Sequence, residues 1–128
     1  MDNLHLIRSQ AALRTIGTNP DLDRSAISKL PALIINNGLL PAASYCQAES
    51  SGEGRSQMKI AMDSIATHLT ERKIVTGANS TANLITKLSE GNSDTLRRAT
   101  TEALHYFAFL KRFAKKKSKE SEPVEPTS

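Results

Sequence analysis

A chain of 128 residues with 38% hydrophobic and 23% charged residues has the size and composition of one globular domain with a substantial core. No apolar run approaches the roughly 18 residues that a membrane-spanning helix needs, and charged residues interrupt the N-terminus where a signal peptide would be apolar. We therefore expect a cytoplasmic protein. The net charge of +4 at pH 7 favours an anionic partner, nucleic acid ahead of a membrane surface.

The first part of the chain has the apolar spacing of helices. Residues 3–16 are predicted to form one helix that ends at Gly17, because glycine commonly ends helices. Asp21 or Asp23 can then accept the unpaired backbone N–H groups at the start of a second helix. The predicted buried stripe of the first helix consists of Leu6, Leu13 and Ile16.

The run from Lys29 to Pro41 (KLPALIINNGLLP) predicts a helical corner. Pro31 either kinks a helix here or lies in the first turn of a new one, because proline lacks the N–H that a helix interior requires. Gly38 is a natural helix end, since it adopts the left-handed conformation without steric strain. Pro41 suits the first turn of a short helix that runs to about Ala48.

The second half of the chain predicts three further helices. They lie at residues 56–72, at residues 82–88, and from a cap at Ser93 or Asp94 to about Lys117, with loops at residues 50–54 and 76–80. Their main predicted buried faces comprise Met58, Ala61, Met62, Ile65 and Leu69, and Leu96, Ala99, Ala103, Phe107, Leu110 and Ala114. The fold class is therefore all-α, a single-domain bundle of five to seven helices over residues 1–117. Residues 118–128 are polar, rich in proline and acidic side chains, and expected to be disordered.

The sequence has no pattern typical of a catalytic, cofactor or metal site. The glycine-containing loops SGEGR and TGANST lack the spacing of a phosphate-binding loop. Asp21 and Asp23 belong to a helix start, and Glu49 and Glu53 to a loop, so no pair of carboxylates suggests acid–base catalysis. Cys46 has small, apolar neighbours and is predicted to be a buried, inert thiol. We expect no enzymatic activity, no cofactor and no metal.

Basic residues carry the clearest functional signal. They are Arg24 and Lys29 in the second helical segment, Arg97 and Arg98 early in the last helix, and Lys111, Arg112 and Lys115 near its end. Cations near a helix C-terminus also stabilise the helix dipole, which explains some of the charges near the end but not Arg97 and Arg98. Such groups bind phosphates without reading sequence. With three Phe, two Tyr and no Trp, base stacking is not expected, so contact with the nucleic-acid backbone is predicted.

Two blocks of sequence resemble one known family. The first is Arg24-x-x-x-x-Lys29-Leu30-Pro31-Ala32-Leu33-Ile34 followed by Asn37-Gly38-Leu39, and the second runs from Arg97 to Ala114. Together they are similar to the small helical subunit of Cmr-type (type III-B) CRISPR complexes, which are RNA-guided effectors. This chain differs in having Phe109 where members often have tryptophan, and in an acidic tail to which we assign no counterpart.

The resemblance implies a compact helical protein that has no nuclease activity. It implies that the subunit stacks along the effector filament, beside other Cmr subunits and copies of itself, and lines the channel that holds CRISPR RNA and target RNA. Asn37 and Gly38 are carried over as structural residues. The residues carried over as candidate RNA-backbone contacts are Arg24, Lys29, Arg97, Arg98, Lys111 and Arg112.

Two alternatives remain open. A helical adaptor between proteins would carry these charges for solubility and would not bind RNA directly. A helix-turn-helix DNA-binding protein would need base-reading side chains at the start of a recognition helix, after a tight turn. The segment LLPAASYC, which follows Gly38, is too apolar to lie in a major groove.

Overall fold

The computed structural model describes residues 3–48 and 53–114 of the chain. These residues form seven α-helices and no strand, which confirms the predicted all-α bundle. In chain order the helices are α1 (Leu4–Thr18), α2 (Arg24–Ile27), α3 (Lys29–Asn37), α4 (Leu39–Gln47), α5 (Glu53–Glu71), α6 (Thr81–Glu90) and α7 (Ser93–Phe113). No helix in these ranges combines the length and the apolar character that crossing a bilayer requires.

The first helix ends later than its glycine suggests. α1 continues through Gly17 to Thr18, so the prediction that Gly17 ends the helix is wrong. A glycine inside a helix costs only about 0.5–1 kcal/mol, which the rest of the helix tolerates. The stop is Asn19, because the following Pro20 disfavours helical backbone at the preceding residue. The Asn19 side chain also donates to the Thr15 carbonyl at 3.2 Å and so satisfies one of the last acceptors of the helix.

The buried face of α1 matches the predicted stripe only at Ile16, which is half-buried against the core. Leu6 and Leu13 are 52% and 51% exposed, whereas Arg8, Ala11 and Ala12 are buried. Two alanines in succession let the backbone of α1 approach α7 closely, and Arg8 extends inward to a polar partner. Hydrophobic periodicity therefore identified the helix but not the face that packs.

The corner between α2 and α4 follows one of the two predicted alternatives. Ser28 separates α2 from α3, and Pro31 lies in the first turn of α3, where its missing N–H breaks no helical hydrogen bond. Gly38 ends α3, as predicted, but its φ of 94° and ψ of 159° are extended backbone at positive φ rather than the predicted left-handed helical conformation. α4 follows directly at Leu39. Pro41 lies in the first turn of α4.

α5 and α7 begin at positions that differ from the predicted ones. α5 begins at Glu53, inside the segment predicted to be a loop, whereas residues 50–52 of that loop lie outside the described residues. The cap of α7 is Asn92, whose side chain accepts from the Thr95 backbone N–H at 2.8 Å. The predicted caps, Ser93 and Asp94, are instead the first two residues of the helix.

The end of α7 lies before the predicted one. The helix stops at Phe113, and Ala114 has extended backbone with φ −75° and ψ 157°. The predicted continuation to Lys117 is therefore wrong at this boundary. Lys115 and the acidic tail, residues 118–128, lie outside the described residues.

The hydrophobic core surrounds α7, which packs against α1, α2, α3, α4 and α5, while α6 packs on α4 and α5. The predicted buried faces of α5 and α7 are confirmed, with Leu96 half-buried at the edge. Tyr106 and Phe107 are the bulkiest fully buried side chains, and Cys46 is fully buried as predicted. The central position of α7 lets one helix supply both a buried polar residue and an exposed basic end.

Candidate nucleic-acid interface

Three of the predicted RNA-contacting residues meet at the C-terminal half of α7. They line a groove of about 520 Å³, which we call the basic groove. Its lining residues are Arg24, Pro31, Ile35, Leu104, Ala108, Lys111 and Arg112. Four of these side chains are apolar and three are basic, so the surface combines hydrophobic contact with positive charge.

Arg24 joins α2 to the end of α7. Its guanidinium donates to the carbonyl of Arg112 in the last turn of the helix, at 3.0 Å, and to that of the cap residue Ala114, at 3.3 Å. These carbonyls have no partner within a helix, and a cation is favourable beside them. The Arg24 Nε is buried and meets no acceptor in the part of the chain that the structure describes. Arg24 therefore has a structural role in addition to the positive charge it brings to the groove.

Lys111 and Arg112 are both exposed at this end of α7. The Arg112 guanidinium lies over the ring of Phe109, 5.5 Å from its centroid, which is the geometry of a cation–π contact. Phe109 is itself half-buried and packs near His5 and Phe113, with centroid distances of 6.0 Å and 6.4 Å. The aromatic cluster orients the guanidinium without removing it from solvent.

The remaining predicted residues lie elsewhere. Lys29 is exposed at the first residue of α3 and is not part of the groove lining. Arg97 and Arg98 are exposed near the start of α7, and Arg97 donates to Asp94 at 2.8 Å. At 1.5 Å per residue, Arg98 lies about 20 Å along the helix axis from Lys111. The structure thus divides the predicted contacts on α7 between its two ends.

A buried polar network, which the sequence interpretation missed, lies on the other side of α7. The Arg8 guanidinium donates to both carboxylate oxygens of Glu102, at 2.9 Å and 2.8 Å, and His68 Nε2 lies 2.8 Å from Glu102 Oε2. The three side chains come from α1, α7 and α5, and the residues are 7%, 5% and 2% exposed for Arg8, Glu102 and His68. The network therefore joins three helices through one carboxylate.

Glu102 is ionised in this environment. Burial by itself raises the pKa of the carboxyl group, but the hydrogen bonds from Arg8 and His68 and the charge of the Arg8 guanidinium outweigh it and lower the pKa to about 2. A carboxylate can only accept, so His68 donates its Nε2–H to it. The Nδ1 of His68 is buried and has no hydrogen-bond partner among the described residues.

Tyr106 extends the network towards the surface. Its ring stacks on His68 with a centroid distance of 4.8 Å, and its hydroxyl donates to Ser64 Oγ at 2.9 Å and lies 2.7 Å from Thr15 Oγ1. Burial raises the pKa of the Tyr106 phenol, which keeps it neutral. Ser64 donates its own proton to the Ala61 carbonyl at 2.6 Å, so this hydroxyl is not directed at His68 as a base-activated nucleophile would be. The geometry is that of a structural network.

Comparison with known proteins decides the family. Residues 19–117 match the family model described as CRISPR-associated protein (Cas_Cmr5). The chain belongs to this family. The result confirms the resemblance drawn from the two sequence blocks and identifies a Cmr5-type small subunit of the type III-B CRISPR complex. Neither the curated proteins nor the solved structures contain a match to this chain.

The region matched to the Cmr5 family contains α2 to α7 and therefore every lining residue of the basic groove. α1 precedes the match, yet the Arg8–Glu102 pair fixes it to the longest helix of the matched region. The Arg8–Glu102 pair therefore joins α1 to the core of the region that matches the family.

The sequence did contain a signal for the missed network. Glu102 is in register with Ala99 and Tyr106 on the buried face of α7, and glutamate is seldom buried without a partner. A carboxylate on an otherwise apolar face therefore predicts a buried cation. His105, by contrast, lies on the same helix but is exposed.

Proposed function

We propose that this Cmr5-type chain is a non-catalytic structural subunit that stacks along the effector filament and contacts the backbone of the guide or target RNA through its basic residues. The observation that supports this most is the basic groove, where Lys111 and Arg112 are exposed beside Arg24. Cations placed together displace counterions from a phosphate chain, and this contributes affinity that is independent of base sequence.

The character of the groove favours phosphates over bases. Phe109, the aromatic side chain nearest to Arg112, is already covered by that guanidinium and packed against other rings. Stacking of an unpaired base needs an exposed aromatic face, which this residue does not offer. Backbone contact without sequence preference suits a subunit that must accept any guide sequence.

Exposed apolar side chains support contact with other Cmr subunits or with copies of this chain. Leu6 and Leu13 lie two turns apart on the outer face of α1, and Ile35 is 69% exposed on α3. Apolar groups at the surface that no part of the described fold covers are common at protein–protein interfaces. The same observation favours the alternative function, a helical adaptor that does not touch RNA.

A charge-reversal experiment separates the two functions. The double variant Lys111→Glu/Arg112→Glu is compared with Lys73→Glu/Lys87→Glu, which changes the net charge equally at positions away from the groove. If RNA phosphates contact the groove, only the first variant lowers RNA affinity and reduces the slope of log K against log salt, by about 0.7 to 0.9 per lost contact. Equal RNA binding by both variants, with association with Cmr subunits retained, would establish the adaptor instead.

A further inference from the structure

The apolar part of the basic groove is not explained by contact with RNA phosphates. Pro31, Ile35, Leu104 and Ala108 line it alongside the three cations, and Ile35 is the most exposed large hydrophobic side chain in the described ranges. A phosphate backbone is anionic and offers no large apolar group to cover these residues. The groove is therefore better matched by a ligand that carries both carboxylates and apolar side chains.

Residues 118–128, SKESEPVEPTS, have this combination. They contain Glu120, Glu122 and Glu125 against one lysine, and the largest apolar side chain, Val124, lies between two of these glutamates. Two prolines flank the same short stretch and favour extended backbone, in which neighbouring side chains point in different directions. The tail thus carries the acidic and apolar groups that complement the groove.

The tail is also tethered at the groove. Ala114, the last described residue, is bonded through its carbonyl to Arg24, which lines the groove. An extended chain spans up to about 3.3–3.6 Å per residue, so Glu122 can reach on the order of 27 Å from Ala114. Leu104, the groove residue farthest back along α7, is about 15 Å away along the helix. A tether of this length gives the tail an effective concentration of about millimolar at the groove.

We propose that residues 118–128 fold back onto the basic groove of their own chain, with the glutamates against Lys111 and Arg112 and with Val124 against Ile35. The tail then covers the exposed apolar side chains and occupies the cations with carboxylates. A second consequence, which rests on the proposed function, is that the tail competes with RNA phosphates for the same groove.

The contact is tested by two-dimensional NMR of the full-length, ¹⁵N-labelled protein. The variant Glu120→Gln/Glu122→Gln/Glu125→Gln should shift the amide signals of Ile35, Leu104, Ala108 and Lys111, and 0.5 M NaCl should produce the same shifts in the unmodified protein. In return, Ile35→Ser should shift the amide signals of the tail. The matched control Glu71→Gln/Glu90→Gln, at exposed positions away from the groove, should leave the groove signals in place.

Two NMR outcomes would overturn the proposal. Groove signals that do not respond to the tail variant would show that the tail lies elsewhere. Shifts that diminish on tenfold dilution of the protein would show that the groove holds the tail of a second copy, whereas a contact within one chain is independent of concentration.

RNA binding then separates this inference from the proposed function. If the tail occupies the groove most of the time, the glutamine variant should bind RNA about threefold or more tightly at low salt, because the fraction of molecules with an open groove rises. If the glutamine variant shifts the groove signals but binds RNA with unchanged affinity, the tail docks in the groove but does not compete with RNA. If the groove signals do not shift and Lys111→Glu/Arg112→Glu weakens RNA binding, the tail does not dock in the groove. RNA contact by the groove is then still supported.

Discussion

At the scale of single residues, Glu102 joins three helices through one buried carboxylate. It accepts hydrogen bonds from Arg8 and His68 in a site where all three residues are almost completely buried. Removing charged groups from water costs several kcal/mol for each ion, and the ion pair with its hydrogen bonds offsets much of this cost. The net stability contributed by such a pair is modest, but the loss of one partner leaves the others buried and uncompensated.

We therefore expect Glu102→Gln to lower the free energy of unfolding by about 3–5 kcal/mol, because Arg8 would remain buried without a counterion. Urea unfolding followed by circular dichroism at pH 7 measures the change. The same substitution at Glu71 is the control, since its pair with Arg14 has side chains that are 51% and 62% exposed. An exposed pair contributes about 1 kcal/mol or less. Equal losses in the two variants would show that the buried network adds nothing beyond a surface ion pair.

The pH dependence of stability follows from the same residue. The pKa of Glu102 falls from 4.5 to about 2 on folding, so the folded state favours the ionised form. This stabilisation is fully present above pH 4.5 and is lost as the pH falls towards 2, and its size is on the order of 3 kcal/mol. Unfolding by urea at a series of pH values from 6 to 2 should show a steeper decline for the unmodified protein than for Glu102→Gln. Parallel curves would contradict the lowered pKa.

At the scale of helices, two glycines should respond in opposite ways to alanine. Gly38 has φ 94° and ψ 159°, a conformation that is nearly exclusive to glycine, and a Cβ there would meet Pro41 only at an ordinary 3.5 Å. Backbone strain alone should therefore make Gly38→Ala less stable by about 1–3 kcal/mol. Gly17 lies inside α1 with open space around its Cα, so Gly17→Ala should stabilise by up to about 1 kcal/mol. Thermal unfolding measures the stability of both variants. If Gly17→Ala is less stable than the unmodified protein, Gly17 ends the helix after all.

The helices also show what sequence alone can and cannot predict. The faces of α5 and α7 follow from a regular apolar period, and the corner at Gly38 follows from backbone sterics, both of which are local properties. The cap of α7 was misassigned by one or two positions because Asn92, Ser93 and Asp94 are adjacent and each can cap a helix. Local sequence does not decide among such neighbours.

At the scale of the whole molecule, the buried network and the basic groove could not be predicted because they join residues that are distant in sequence. Arg8 and Glu102 are separated by 94 positions, and no periodicity within α1 shows that its inner face is a guanidinium beside two alanines. The basic groove likewise needs α2, α3 and α7 to pack together before Arg24 and Arg112 become neighbours. The sequence already divided the basic residues of the last helix between its two ends, whereas the meeting of Arg24 with Arg112 required the fold.

This division leads to a prediction about the path of RNA. If one RNA backbone follows α7, the pairs Arg97/Arg98 and Lys111/Arg112 contact phosphates about 20 Å apart, and their contributions should add because they share no partners. Replacing either pair by glutamine should reduce the salt dependence of RNA binding, and replacing both should reduce it by the sum. The groove pair should contribute more, because Arg97 must first leave Asp94, to which it donates at 2.8 Å.

Filter binding or fluorescence anisotropy over a salt series measures these slopes, and Asp94→Asn provides an independent check. Removing that carboxylate should release Arg97 and increase both RNA affinity and salt dependence, unless Arg97 and Arg98 are replaced as well. If the Arg97→Gln/Arg98→Gln variant binds RNA with an unchanged slope, RNA does not follow the helix. Contact is then confined to the groove, and the first turns of α7, with their exposed charges on Arg97, Arg98 and Asp94, face a neighbouring subunit or solvent instead.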